Sequence, residues 1–317
     1  MVLQWLPEVV RAEAYDPLQV TAAVGAQLLD RDVIDESRNR TVPLRVYLPE
    51  ATTPAAVVLF SHGLGGSREG SGFLGKHWAA RGYIVVFLQH PGSDESVWRD
   101  LAQAERLQAL QKAANPQTFM QRVFDVAAVL DQLAVWNKAS GDALSGRIDL
   151  DRVGMSGHSF GAVTTQAVSG QATANGRQLF LDKRIDAAII MSPSTPRRGT
   201  AEVAFRNVRL PWLLMTGTRD TAPIGDQDMA SRLAVYPSLP TGGKYELVLD
   251  GAEHSAFTER RLPGEVNPRN PAHHPAILAI STAFWDAWLK KDAAAREWID
   301  GVAVRGVLAE ADRWQRK

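Results

Sequence analysis

The sequence predicts an α/β protein: a mostly parallel, twisted sheet with helices on both faces. Three observations carry this expectation. Short continuous apolar runs recur along the chain, at residues 57–60, 83–88, 187–191 and 212–215, and such runs suit strands buried on both faces. Segments of helical periodicity separate them, so strand and helix alternate. The stretch Gly157-His158-Ser159-Phe160-Gly161 matches G-x-S-x-G, directly after a short strand-like segment in which Val153 and Met155 alternate with small residues and directly before a helical segment.

Taken in order, residues 1–22 read as an irregular arm or short helix. Residues 25–35 and 41–49 read as two extended segments joined by the charged turn Glu36-Ser37-Arg38-Asn39-Arg40, an antiparallel pair at a sheet edge. Residues 55–66 form a buried strand running into a glycine-rich loop. A helix ending near Gly82 and the buried strand 82–90 complete a βαβ unit. Leu101, Ala104, Leu107, Leu110 and Ala114 recur at three- or four-residue spacing, an amphipathic helix. It is either a surface helix packed on the sheet or, within segment 97–117, a candidate lid. A second helix, 119–136, aligns Val123, Val126, Leu130 and Leu133. The strand before Ser159, its helix to about Gly170, strands over 186–194 and 210–220, a helix over 225–236, a strand over 244–251 and a long helix over 275–290 follow. The C-terminal residues 293–314 read as further helical turns. The chain is expected to be one domain, 1–317.

Composition narrows the function. Formal net charge is zero, so the broad basic footprint of a nucleic-acid binder is missing. There is no cysteine, which excludes disulfides, thiolate metal sites and a cysteine nucleophile. No apolar run is long enough to span a bilayer. The first residues lack the basic start and long apolar stretch of a signal peptide. The compartment stays open: cytoplasmic as the sequence reads, secreted or periplasmic if a leader has been removed. No H-E-x-x-H is present and neither metal nor cofactor is expected.

The chemistry centres on Ser159. A serine between two glycines at a strand-to-helix turn is pushed out of the backbone with its hydroxyl free. At neutral pH that hydroxyl needs a general base, and the base needs an orienting acid. In open α/β sheets such groups come from loops at the carboxyl ends of strands. Asp220 follows the strand over 212–216, and His254 follows the strand over 245–249. Ser, Asp and His then appear in an order known for this constellation. His62, His77, His90 and His158 precede or abut Ser159, and His273 and His274 lie in a proline-flanked turn or helix start. An acyl-transfer site also needs donors for a developing oxyanion. Phe160 N–H and Leu64 N–H, the latter in the loop His62-Gly63-Leu64-Gly65-Gly66, are the expected pair. His158, His90 and Phe257 are candidate substrate contacts. Phe257 and Trp98 suit an aromatic-lined pocket or plain packing.

The segments 59–70, 82–96, 154–164, 216–225 and 251–257 resemble the α/β-hydrolase superfamily. They are most similar to its branch of platelet-activating-factor acetylhydrolases and bacterial dienelactone-hydrolase-like proteins. The resemblance implies the α/β-hydrolase fold, a triad on Ser159, Asp220 and His254, and oxyanion donors at Leu64 and Phe160. Dienelactone hydrolases use a cysteine nucleophile, so that substrate does not carry over.

The expected activity is a serine carboxylic-ester hydrolase acting through an acyl-enzyme on short acyl esters, including acetyl-phospholipid-like ones. The alternatives are a polyester or aromatic-ester hydrolase, a peptidase, or a non-catalytic binding protein on the same scaffold. The helix at 101–114 carries leucine and alanine on its apolar face without aromatics, a poor membrane anchor. The expected partner is a small-molecule or lipid ester, with no nucleic acid and no transmembrane segment, in a monomer or homodimer.

Overall fold

The computed structural model describes residues 14–20, 27–222, 224–225, 227–262, 265 and 267–317. The expected N-terminal arm therefore falls largely outside the described residues. The chain opens with β1 (Gln27–Asp35), β2 (Arg40–Leu48), β3 (Ala55–Ser61), α1 (Gly72–Ala80) and β4 (Ile84–Leu88). Two helices follow, α2 (Gln103–Ala113) and α3 (Pro116–Lys138), and then β5 (Ile148–His158), α4 (Phe160–Val168) and β6 (Ala187–Met191). Next come α5 (Ala201–Phe205), β7 (Trp212–Arg219), α6 (Met229–Leu233), α7 (Val235–Ser238) and β8 (Lys244–Glu253). The chain ends with α8 (His273–Trp288), α9 (Ala293–Asp300) and β9 (Arg313–Arg316).

Among the described residues these strands form one sheet in the order β1-β2-β4-β3-β5-β6-β7-β8-β9. The centre, from β4 to β8, is parallel; β1, β2 and β9 run antiparallel at the two edges. The protein is thus an α/β protein with a mostly parallel sheet, as its apolar runs predict. Each central strand has apolar side chains on both faces because both faces are covered. Ala56, Val58 and Phe60 of β3 join the core formed with Trp78 of α1 and Ile280, Phe284 and Trp285 of α8. Their neighbours Val57 and Leu59 face Val126, Val129, Leu130 and Leu133 of α3. Ala162 of α4, Phe205 of α5 and Val235 of α7 build a third core against β6 and β7. Among the described residues no helix is long and apolar enough to cross a membrane.

The boundary between α2 and α3 has a local cause. Pro116 cannot continue α2, but it suits the first turn of α3, where its missing N–H is no loss. Asn115 caps that turn: Thr118 N–H donates to Asn115 Oδ1 at 2.9 Å, and Asn115 N–H donates back to Thr118 Oγ1 at 3.3 Å.

Three expectations need correction. The helix 101–114 is not a surface helix laid on the sheet: in α2 only Ala113 is buried, and Leu107 is 52% exposed. Leu110 instead lies against Gly65 in the loop after β3. The helix over 225–236 is two short ones, α6 and α7, with residue 226 outside the described set. The C-terminus is not helical throughout: β9 pairs antiparallel with β8, and Trp314 stacks on Tyr245 with ring centroids 5.7 Å apart. Four residues that include two arginines carry too little apolar alternation to read as a strand; the exposed edge of β8 supplies the partner.

Candidate active site

The carboxyl ends of β5, β7 and β8 reach the same edge of the parallel sheet, with β6 between β5 and β7, and each delivers one polar residue. Ser159 caps α4 directly after β5, with φ 58° and ψ −116°. A non-glycine residue there is strained by about 1–3 kcal/mol. The glycines around it make the turn possible. A Cβ on Gly161 would stand 1.8 Å from the Ser61 carbonyl oxygen, and one on Gly157 would stand 2.4 Å from the Gly161 carbonyl oxygen. The Ser159 N–H still donates to Met191 O of β6 at 3.0 Å, the last bond of the β5–β6 ladder before the turn.

His254 begins the 3₁₀ turn that follows β8, and its Nε2 lies 2.8 Å from Ser159 Oγ. Asp220 follows β7 and puts Oδ1 2.6 Å from His254 Nδ1. A charged carboxylate at that distance holds the proton on Nδ1, so Nε2 is left to accept the Ser159 hydroxyl proton. Asp220 is fully buried. Burial alone would raise its pKa, but His254 and the Arg232 guanidinium outweigh that and hold it well below the usual carboxylate range. Thr216 Oγ1 donates to its other oxygen at 2.8 Å.

Sequence reasoning missed Arg232. It is 1% exposed on α6, yet it reaches Asp220 Oδ1 at 3.0 Å and donates to the carbonyls of Asp220, Ser192 and Pro193 at 2.5, 2.9 and 3.1 Å. It ties the loops after β6 and β7 together beneath the histidine. An arginine within a five-residue helix gives no sequence signal for this, because its partners lie in loops distant along the chain. Beyond His254, Glu265 Oε1 accepts from Ser255 N–H at 2.8 Å and Arg269 donates to Ser255 O at 2.9 Å, which fastens the turn carrying the imidazole.

The loop after β3 lies against the nucleophile: a Cβ on Gly63 would stand 3.3 Å from Ser159 Cβ. Among the described residues neither Leu64 N–H nor Phe160 N–H has a hydrogen-bond acceptor. Trp98 Nε1–H donates to Gly65 O at 2.8 Å, so its polar edge is used in holding the loop.

The three candidate substrate contacts are buried. His158 donates through Nε2 to His254 O at 2.9 Å and packs edge-tilted on the His254 and Phe257 rings. Phe257 is fully buried in the core, and His90 is fully buried behind the loop after β3. His90 and Phe257 present no surface to a ligand, whereas His158 is 5% exposed, much as His254 is at 4%. An apolar or histidine side chain near a site in sequence cannot be assigned to pocket or core without its packing.

Burial keeps three histidines neutral. It pushes His90 down to about 4 and His158 down to about 3, and holds His62 well below its ordinary value, with the nearby Arg122 or His254 adding to the effect. In the unfolded chain each would titrate near 6.5. Below that pH the unfolded chain binds protons that the folded chain refuses, so stability falls as pH drops toward the folded values. Each such histidine is expected to cost about 2 kcal/mol by pH 5. Urea unfolding midpoints should decline between pH 7 and pH 5; a flat profile over that window would contradict the buried neutral imidazoles.

No protein-family model matches the chain, and comparison with curated proteins gives no match.

Proposed function

We propose that the chain is a serine carboxylic-ester hydrolase with an α/β-hydrolase fold, acting on short acyl esters through an acyl-enzyme. The observation that carries this reading is the unbroken hydrogen-bonded series Ser159–His254–Asp220, at 2.8 and 2.6 Å, on a serine with φ 58°. A strained serine is retained where its geometry serves chemistry.

In this reading Ser159 Oγ attacks the ester carbonyl carbon as His254 Nε2 takes its proton. Asp220 stabilises the imidazolium without accepting that proton. The carbonyl oxygen becomes an oxyanion held by Leu64 and Phe160 N–H groups. The tetrahedral intermediate collapses: the carbon–oxygen bond to the alcohol breaks, and His254 returns the proton to the leaving oxygen. Water, deprotonated by the same imidazole, then attacks the acyl-enzyme and releases the acid and Ser159. Leu110 and Trp98 both pack on Gly65, next to Leu64, and this close packing of the loop supports a short acyl group.

The test is covalent. A fluorophosphonate probe should label one residue per chain, and peptide mapping should place the label on Ser159. A protein left unlabelled after prolonged exposure, while fully folded, would reject the reading in favour of a non-catalytic scaffold.

A further inference from the structure

A second serine, histidine and aspartate are hydrogen-bonded in series behind the loop after β3. Ser61, at the end of β3, lies with Oγ 2.9 Å from His90 Nε2, and His90 Nδ1 lies 2.9 Å from Asp125 Oδ2 on α3. Ser61, His90 and Asp125 are all fully buried, so no substrate reaches this serine. Proton positions follow from the partners. Asp125 also accepts from Arg38 Nη1 at 2.9 Å and from Arg40 Nε and Nη2 at 2.6 and 2.8 Å, so it is a carboxylate and His90 Nδ1 carries a proton. His90 Nε2 then accepts the Ser61 O–H, and Ser61 Oγ turns its lone pairs to Arg122 Nη2–H at 3.0 Å.

Arg122, also fully buried, is the far end of this relay. It donates to the His62 carbonyl, to Ser93 Oγ at 2.8 Å and to Thr164 Oγ1 at 3.1 Å. Its guanidinium carbon lies 4.7 Å from the centre of the Phe160 ring. One side chain thus touches both halves of the oxyanion site: the carbonyl two residues before Leu64, and the side chain of Phe160. The relay also fixes the rest of the loop. His90 N–H donates to His62 Nε2 at 3.1 Å, which leaves His62 Nδ1–H to hold Gly63 O at 2.6 Å, and Gly65 N–H donates to Ser93 O at 2.8 Å.

We infer that Ser61, His90, Asp125 and Arg122 are positioning residues that lock the oxyanion loop, orienting Leu64 N–H and Phe160 N–H toward the reacting oxygen. The inference rests on the esterase reading. Because a positioned donor acts on the transition state more than on the bound ester, its loss lowers kcat and spares KM.

Ser61→Ala removes one oxygen from the relay and leaves Ser159, His254 and Asp220 in place. Expected are a kcat lower by about 10- to 100-fold on p-nitrophenyl acetate with KM within about twofold, affinity for phenylboronic acid reduced by a like factor, and complete eventual fluorophosphonate labelling of Ser159. Ser61→Thr, which keeps the hydroxyl, should recover most of both losses. Thermal unfolding of each variant shows that the assay temperature lies below the transition. An active wild type with unchanged kcat in Ser61→Ala, or with the loss confined to KM, would overturn the positioning role and leave the esterase reading intact. A wild type neither labelled nor active would remove both.

Discussion

Replacing Ser159 by alanine should lower kcat/KM for p-nitrophenyl esters by at least about 10⁴-fold, to the level of the donors and binding alone. The magnitude follows from geometry. The hydroxyl is the one nucleophile that the sharp turn after β5 presents to His254 Nε2. Alanine keeps the Cβ, so the turn retains its strain and stability should change little. The measurement is a series from acetate to dodecanoate for wild type and variant, with unfolding followed in parallel. Preference for short chains would agree with the crowding of Gly65 by Leu110 and Trp98. Preference for long ones would show that α2, whose Leu107 is half exposed, yields to the acyl chain. A variant as active as wild type would refute the assignment of Ser159.

The largest expected loss of stability comes from Gly161→Ala. Its Cβ would sit 1.8 Å from the Ser61 carbonyl oxygen and 2.9 Å from that of His62. The first belongs to the last residue of β3, fixed by pairing to β4 and β5, and the second to the next residue, whose carbonyl is bonded by the buried Arg122, so neither moves aside cheaply. Destabilisation of about 3 kcal/mol or more is expected, and with it loss of fluorophosphonate labelling, since β3 and α4 must separate. Gly306→Ala is the control: its Cβ would meet nothing within 4 Å, and stability should stay within about 0.5 kcal/mol. Equal urea midpoints for the two variants would mean that β3 and α4 do not pack as closely as described.

The parts of the fold legible in the sequence were those with a strong local signal. The central strands could be read because a strand covered on both faces is apolar at consecutive positions, as at residues 57–60. α3 was legible from its apolar spacing, although its start at Pro116 came earlier than periodicity alone suggested. The strand β9 and the helix α5 were not, because short elements draw their stability from neighbours distant in sequence.

The same division runs through the candidate site. Ser159, Asp220 and His254 could be named because each stands just past a recognisable strand, and strand ends in a parallel sheet converge on one edge. That much is written in the chain: the order of the elements, and the residues placed at their ends. Tertiary structure alone decided the roles of the buried polar residues. Arg232, Arg122 and Asp125 sit on helices and act across 40, 60 and 87 positions of chain, on Ser192, His62 and Arg38. It decided equally that His90 and Phe257 are enclosed rather than open to a ligand. The reason is physical: a buried polar group is specified by the partners that satisfy its hydrogen bonds, and those partners become neighbours only when the sheet assembles.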